Sequence, residues 1–322
     1  MANILEQLME VGDELAIARK GICYDLKLSN DAKTVTFYCA ESSGEKYTIE
    51  KGYREIYLIW GIKARDMFNE CKRSEAVDEL KHNIYPKRIA DTHGHYLFGV
   101  DDGAEALPFS LKMIKDSYDQ GVRNIVCTSH DSANVLAYKR NFQLLEEWVK
   151  IIGLDVKLHQ GCEIYCEEYY LSEIIEKIEN GFLLPMGNSK YVLLEFAPWT
   201  TGEEVVECIR RIRRETEFKP IIAHIERYRW LFDDKQTITA IKEMDIPVQV
   251  NAYSIVEDSD EDRKTFVKQL LQEKIVTFIG SDAHGIGHRP VAVASGIEYI
   301  YENCDEEYAN AICYRNAERM LF

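Results

Sequence analysis

RIADTHGHYLFGVDDGA, residues 88–104, decides how this chain is read. A short apolar start, Ile89 and Ala90, gives way to His93 and His95, and then to a loop carrying Asp101 and Asp102. Side chains alternate between the two faces of a strand, so His93 and His95 point to the same side. Alone, an HGH suits core histidines as well as metal ligands. Its weight comes from the similar runs downstream: NIVCTSH (from 124), DVKLHQGCEIY (155), YVLLEFAP (191), KPIIAHIER (219), PVQVNAYS (247) and VTFIGSDAH (276). Each interval is long enough for a crossover helix, and short apolar strands without alternation indicate a parallel sheet buried on both faces. Seven such βα units predict an α/β fold closed into a TIM-like barrel with one unit fewer than usual. An open doubly wound sheet is the structural alternative.

Upstream of Pro86 the pattern is different. Helical spacing covers about 3–18. ICYDLKLS (22–29), KTVTFYCA (33–40) and KYTIE (46–50) come next, separated by the turn-rich SNDA and ESSGE, and a second helical stretch covers about 52–81. These runs predict an antiparallel meander between two helices. The chain therefore divides into a small α+β domain, 1–86, and a barrel domain, 87–322. The first carries no readable chemistry and is a candidate interaction module.

Composition narrows the class. The chain has 322 residues, 46% hydrophobic and 29% charged, as in an ordinary soluble globular protein. No apolar run approaches the roughly 20 residues of a membrane helix, and the N-terminus lacks the basic start and apolar centre of a signal peptide; a cytoplasmic location without a membrane span is expected. Nine scattered cysteines read as free thiols, the CxxxC of Cys162 and Cys166 included. A net charge of −16 argues against nucleic acid as a partner and leaves room for carboxylates neutralised by metal cations.

The polar residues of the barrel units fall in one place. His93 and His95 end the first strand, His130 the second, Glu163 the third, Glu195 the fourth, His224 the fifth, and Asp282 and His284 the seventh. In a parallel barrel all carboxyl ends lie on one face, so residues distant in sequence converge there. Imidazole and carboxylate without thiolate suit zinc, manganese or iron. The donors exceed what one tetrahedral ion needs, which implies a cluster of two or three divalent ions with a carboxylate such as Glu163 bridging. Closely spaced ions acidify a bound water and neutralise charge on attacking and leaving oxygens, which suits phosphate ester hydrolysis. Arg227 and Arg289, next to His224 and His284, are candidate phosphate-binding forks, and Glu226 a residue that orients its neighbours. Asp101 and Asp102 are either a turn opening a helix or a source of one more ligand. His288 lies just past the set; His82 and His159 read as ordinary. CIRRIRR (208–214) has the spacing of a cysteine phosphatase loop without its glycine-rich turn, and reads as a helix surface.

At these residues the chain resembles a known family. DTHGHYLFGVDDGA, TSH, GCEIY, LLEF, PIIAHIERY, QVNAYS and GSDAHGIGHRP stand in the order and spacing of the PHP (polymerase and histidinol phosphatase) type tyrosine-protein phosphatases of bacterial capsule and exopolysaccharide systems, from about residue 88 to the end. The resemblance implies a distorted seven-stranded barrel with a trinuclear centre, manganese or iron in the first place and zinc as an alternative. It also implies action on phosphotyrosines in the tail of a bacterial tyrosine kinase. By motif, His93, His95, Glu163 and Asp282 would hold one ion. Glu163, Glu195 and His224 would hold a second, and His130, His284 and an Asp of the DDG loop a third, with Arg227 and Arg289 binding phosphate. Gly94 stands where the family often has Cys or Ser, Ala317 where it often has Pro, and 1–86 is an addition. The alternatives are another PHP phosphoesterase, such as a histidinol phosphatase or a nuclease-like enzyme, and a binding or regulatory module with a degenerate site. Oligomerisation stays open.

Overall fold

The computed structural model describes residues 89–258 and 260–322, together with three strands nearer the start of the chain. These three, β1 (Cys23–Leu28), β2 (Thr34–Cys39) and β3 (Lys46–Glu50), pair antiparallel in the order β1-β2-β3. The helical stretches expected over 3–18 and 52–81, the boundary at Pro86, and His82 lie outside the described residues.

From residue 89 the chain is α/β. β4 (Ile89–Gly94), β5 (Val122–His130), β6 (Lys157–Cys166), β7 (Tyr191–Phe196) and β8 (Lys219–Ile222) form a five-stranded parallel sheet in sequence order. β4 is buried along its whole length, as a strand covered on both faces must be. The crossovers are α1 (Leu107–Asp119), α2 (Val135–Ile151), α3 (Leu171–Glu179) and α4 (Gly202–Glu215). Each turns an apolar stripe inward. On α3 this is Leu171, Ile174, Ile175 and Ile178; on α4 it is Val205, Val206, Cys208, Ile209 and Ile212. α4 opens on a capping box, with Thr201 bound to the Glu204 amide and Glu204 reaching back to the Thr201 amide. CIRRIRR is thus helical, but Cys208 lies on its buried face rather than its surface.

The expected seven strands appear in two ladders rather than one. β9 (Gln249–Asn251) and β10 (Phe278–Gly280) form their own parallel pair. β8 stops short because His224 takes a left-handed backbone (φ 27) and enters a 3₁₀ turn, so a single bridge, Ile222 to Val248, links it toward β9. At the other edge, Asp282 N donates to His93 O (2.7 Å), His95 N to Ala283 O (2.8 Å) and Thr92 Oγ1 to Ile279 O (3.0 Å). The buried Asp91 adds to the join by accepting from Ser281 N at 2.8 Å. Side chains and strand ends, not a continuous ladder, connect β10 to β4.

Two cores result. The larger lies between sheet and helices, with Trp148, Leu107, Ile125 and Ile209 fully buried. The smaller fills the concave side, where Ala90, Val126, Leu193, Ile221 and Phe278 meet Met186, Ala317 and Leu321. Strands from both edges share this cluster, so the sheet is curled. Its floor comes from the last helix of the chain, Asn316–Met320, and the residues after it. Asn188 N donates to Leu321 O at 2.9 Å, and Phe322 stacks on His159 with ring centroids 3.6 Å apart. His159 Nε2 also lies 3.1 Å from Asn124 Oδ1, so it is a structural histidine, as the sequence suggested.

Gly94 has a local cause. A Cβ there would sit 2.4 Å from Cε2 of Tyr96, a ring with no exposure whose hydroxyl lies 2.6 Å from both Asp91 Oδ2 and Ser117 Oγ. The ring cannot retreat without breaking those bonds. Gly94→Ser is expected to destabilise the fold by about 1–3 kcal/mol, the usual cost of overpacking. Denaturant unfolding checks this, and an unchanged midpoint would show that Tyr96 has room to move.

Candidate metal centre

The strand-end residues converge. Glu163, 1% exposed, stands at the middle. Its Oε1 lies 2.8 Å from His224 Nε2 and 3.3 Å from His93 Nε2; its Oε2 lies 3.2 Å from His95 Nε2 and 3.3 Å from His130 Nδ1. Asp282 Oδ1 faces His93 and His95 at 3.5 and 3.6 Å. Glu195 reaches His224 Nε2 at 3.4 Å. Period two along β4 and β6, with β10 against β4, delivers these groups to one mouth.

Three sets of donor atoms, each within 4.8 Å of one another, could hold a cation: His93, His95, Glu163 and Asp282; His95, Asp102, His130 and His284; and His130, Glu163 and Glu195. The first is the set that the resemblance implies for one ion. The other two differ from it in that His95 joins Asp102, His130 and His284, and His130 takes the place beside Glu163 and Glu195 where His224 was expected. The donor chemistry fits a metal. His93 Nε2, His95 Nε2 and Asp282 Oδ1 are buried and have no hydrogen-bond partner, a costly state for polar atoms that a coordinated cation would relieve.

The electrostatics point the same way. Burial opposes charge on His95, yet the bond to Asp101 and the nearby Glu163 carboxylate raise it to about 10; a field that so favours a proton favours a metal cation too. Burial, with Arg227 nearby, pushes His224 down to about 4, and burial, with His95 nearby, does the same for His284. Both are thereby held neutral at neutral pH, with His284 Nε2 3.0 Å from Arg289 Nη1. Burial and the charge on Glu163 push Glu195 up to about 7.

The two aspartates of the DDG loop part ways. Asp101 accepts from His95 Nδ1 (2.8 Å) and from the amides of Gly103 (3.1 Å) and His130 (3.1 Å), so its carboxylate is engaged in orienting His95. Asp102 faces His130 Nε2 at 3.4 Å and His284 Nε2 at 3.6 Å. Arg227 and Arg289, both partly exposed, converge on Asp282 Oδ2. Glu226 is fully buried and accepts from Asn251 N at 3.0 Å, tying the HIER turn to β9 rather than gripping Arg227.

Two residues escaped the sequence reading. Gln249 Oε1 accepts from His93 Nδ1 (3.0 Å) and His224 N (2.7 Å), which turns the Nε2 of His93 toward the carboxylates. Gln249 Nε2 donates to Asn251 Oδ1 (2.9 Å), and Asn251 Nδ2 to Asp282 Oδ2 (3.0 Å). The signal was there: two polar residues at period two in the otherwise apolar PVQVN. The backbone marks the place as well. His224, Asp282 and Arg289 have positive φ (27, 52 and 47), a strain in non-glycine residues that gathers at functional sites.

Fold and centre define a class: an α/β protein with a buried cluster of imidazoles and carboxylates, able to hold metal cations, at the carboxyl ends of a curled parallel sheet. Within that class the chain belongs to the CpsB/CapC family of capsular polysaccharide synthesis, whose sequence profile matches residues 89–322. The tyrosine-protein phosphatase CpsB of Streptococcus agalactiae is 30% identical over 244 residues, covering 72% of this chain and 98% of that protein. The tyrosine-protein phosphatase YwqE of Bacillus subtilis is 26% identical over 245 residues, covering 72% and 91%. A solved structure from work on YwqE of Bacillus subtilis and CpsB of Streptococcus pneumoniae, described as metal-dependent tyrosine phosphatases, has the same fold. Its TM-score is 0.66 at 22% identity, over 72% of this chain and 94% of that one. An amidohydrolase from Mycoplasma synoviae shares the architecture at a TM-score of 0.50. Among the described residues no helix is long and apolar enough to cross a membrane.

Proposed function

We propose that the chain is a metal-dependent protein-tyrosine phosphatase acting in capsule or exopolysaccharide regulation, with the phosphorylated tail of a bacterial tyrosine kinase as substrate and the cytoplasm as its location. The observation that carries this reading is the set of buried, unpartnered atoms of His93, His95 and Asp282 facing one another across Glu163. Family membership supports the substrate class. In this reading the seven strands make one distorted barrel, and 1–86 is a separate small domain.

His93, His95, Glu163 and Asp282 would hold one ion; Glu163, Glu195 and His224 a second; His130, His284 and Asp102 a third, with Asp101 positioning His95. Manganese is the first choice, with iron or zinc as alternatives. Bound there, such ions acidify a water and offset phosphoryl charge. The chain's own residues do the rest. Gln249 and Asn251 hold His93 and Asp282 in register. Arg227 and Arg289, whose guanidiniums converge at the mouth, take phosphoryl oxygens through their forks. The leaving phenolate, with an ordinary pKa near 10, requires no dedicated acid. Among the described residues no cysteine is assigned a part: Cys127, Cys162, Cys166, Cys208 and Cys313 are buried thiols, Cys304 is half-buried, and burial raises Cys162 above its usual range.

The test is chelation and then add-back of manganese, iron or zinc, scored on a phosphotyrosyl peptide beside histidinol phosphate and an oligonucleotide. Activity should vanish with chelation, return with one of the metals, and favour the peptide. Turnover that survives chelation, or that disappears in a Cys→Ser variant, would overturn the reading.

A further inference from the structure

The mouth of the centre is not uniform. On the side of Glu195 the end of β6 and the loops after β6 and β7 carry large aromatic side chains into solvent: Tyr169 is 87% exposed, Tyr170 50%, Trp199 76%, and Tyr165, on β6, 37%. Solvated rings in such number on one edge are unusual for a surface with nothing to cover. Their placement is tied to the site. Tyr165 is two residues beyond Glu163 on β6 and pairs in register with Glu195 on β7, so it shares the face of both. Tyr169 and Tyr170 pack edge to face with centroids 4.9 Å apart on the 3₁₀ turn just beyond. Trp199 stands in the neighbouring β7–α4 loop, and a bond from Arg211 Nη2 to Ser172 Oγ (2.6 Å) fastens α4 to α3 behind these loops.

Charge adds a second property. Glu167 and Glu168 flank the tyrosines, and Glu203 sits in the first turn of α4 behind Trp199. Among the described residues none of these carboxylates has a Lys or Arg partner. The edge is aromatic and acidic, while the centre beside it carries Arg227 and Arg289, the pair proposed above to take phosphate.

We infer that this edge is a docking surface for the polypeptide flanking the phosphotyrosine, and that it selects extended segments carrying Lys or Arg next to apolar residues. Lysine and arginine gain from both features, cation–π contact with the rings and attraction to carboxylates without a basic partner, of which Glu167 accepts from the Tyr165 hydroxyl at 2.9 Å. Apolar neighbours cover the ring faces. The inference rests on the phosphatase reading of the same centre and deepens it by naming what surrounds the scissile group.

The experiment compares three substrates on the whole chain loaded with metal: p-nitrophenyl phosphate, a phosphotyrosyl peptide with Lys and Leu flanks, and the same peptide with Glu flanks. The variants are Trp199→Ala and the double Tyr169→Ala/Tyr170→Ala, all at solvent-exposed positions. Expected are a lower KM for the Lys-flanked than for the Glu-flanked peptide, and a rise in that KM of roughly tenfold in each variant, the usual scale for a lost aromatic anchor. Kinetics on p-nitrophenyl phosphate should stay at the level of the unaltered chain. Peptide KM values that ignore the substitutions, an equal change on p-nitrophenyl phosphate, or a preference for Glu flanks would each overturn the docking surface. A chain that hydrolyses none of the three refutes the phosphatase reading instead. Anisotropy with a phosphonate analogue of the Lys-flanked peptide then decides the edge on its own, since weaker binding in the variants upholds it and equal binding overturns it.

Discussion

Glu163→Gln is expected to lower kcat/KM on a phosphotyrosyl peptide by about a thousandfold, a size typical of losing a preorganised charge at a reacting centre. The replacement is nearly isosteric, so packing is preserved and only charge and lone pairs change. Glu163 faces His93, His95, His130 and His224 together, and among the described residues no other carboxylate touches as many imidazoles. Its acid lies well below the usual carboxylate range: burial works against the charge, and His93 and His224 outweigh it. A neutral amide there leaves the imidazoles without their shared anion and removes the group best placed to bridge two cations. Metal content per chain should fall in the same samples. A Gln variant with full activity and full metal content would mean that Glu163 is a core ion pair and that the centre lies elsewhere.

Arg227→Ala and Arg289→Ala should each lower kcat/KM by roughly a hundredfold, and the double change by more, with metal content retained. Both guanidiniums meet at Asp282 Oδ2, and Asp282 lies well below its ordinary range; burial opposes this, and His93 and Arg227 prevail. Two cations on one carboxylate oxygen exceed what that oxygen needs, so the pair has donors to spare for a phosphoryl group. Lysine at either position should recover little, because a point charge cannot reproduce the two-pronged contact. Steady-state kinetics beside metal analysis separates the roles. If metal is lost in step with activity, the arginines only hold Asp282, and phosphate is bound by other groups.

Much of this was legible in the sequence, for a physical reason. A parallel strand flanked by helices reads as an apolar run, and a polar residue at its carboxyl end stands out: His93 and His95 in DTHGH, His130 in TSH, Glu163 in GCEIY, Asp282 in GSDAH. Those strand ends do meet. What stayed hidden depended on the third dimension. Nothing local separates Asp101 from Asp102; only the fold shows the first occupied by His95 Nδ1 and two amides. Gln249 and Asn251 lack the obvious chemistry of His or Glu, and their part rests on contacts to residues far away in the chain. The single bridge after β8 comes from the left-handed turn at His224, which apolar periodicity cannot register. The aromatic edge sits in loops, where spacing carries no code for which side chains stay in solvent.

The helix Asn316–Met320 and the residues behind it shut the narrow end of the curled sheet. Leu321 is fully buried against strand residues, and Phe322 lies flat on His159. With that end filled, the centre meets solvent at the carboxyl ends of the strands, where Asp102, His130 and Glu195 are partly exposed. On the phosphatase reading, the substrate segment and the released orthophosphate both pass that carboxyl-end mouth.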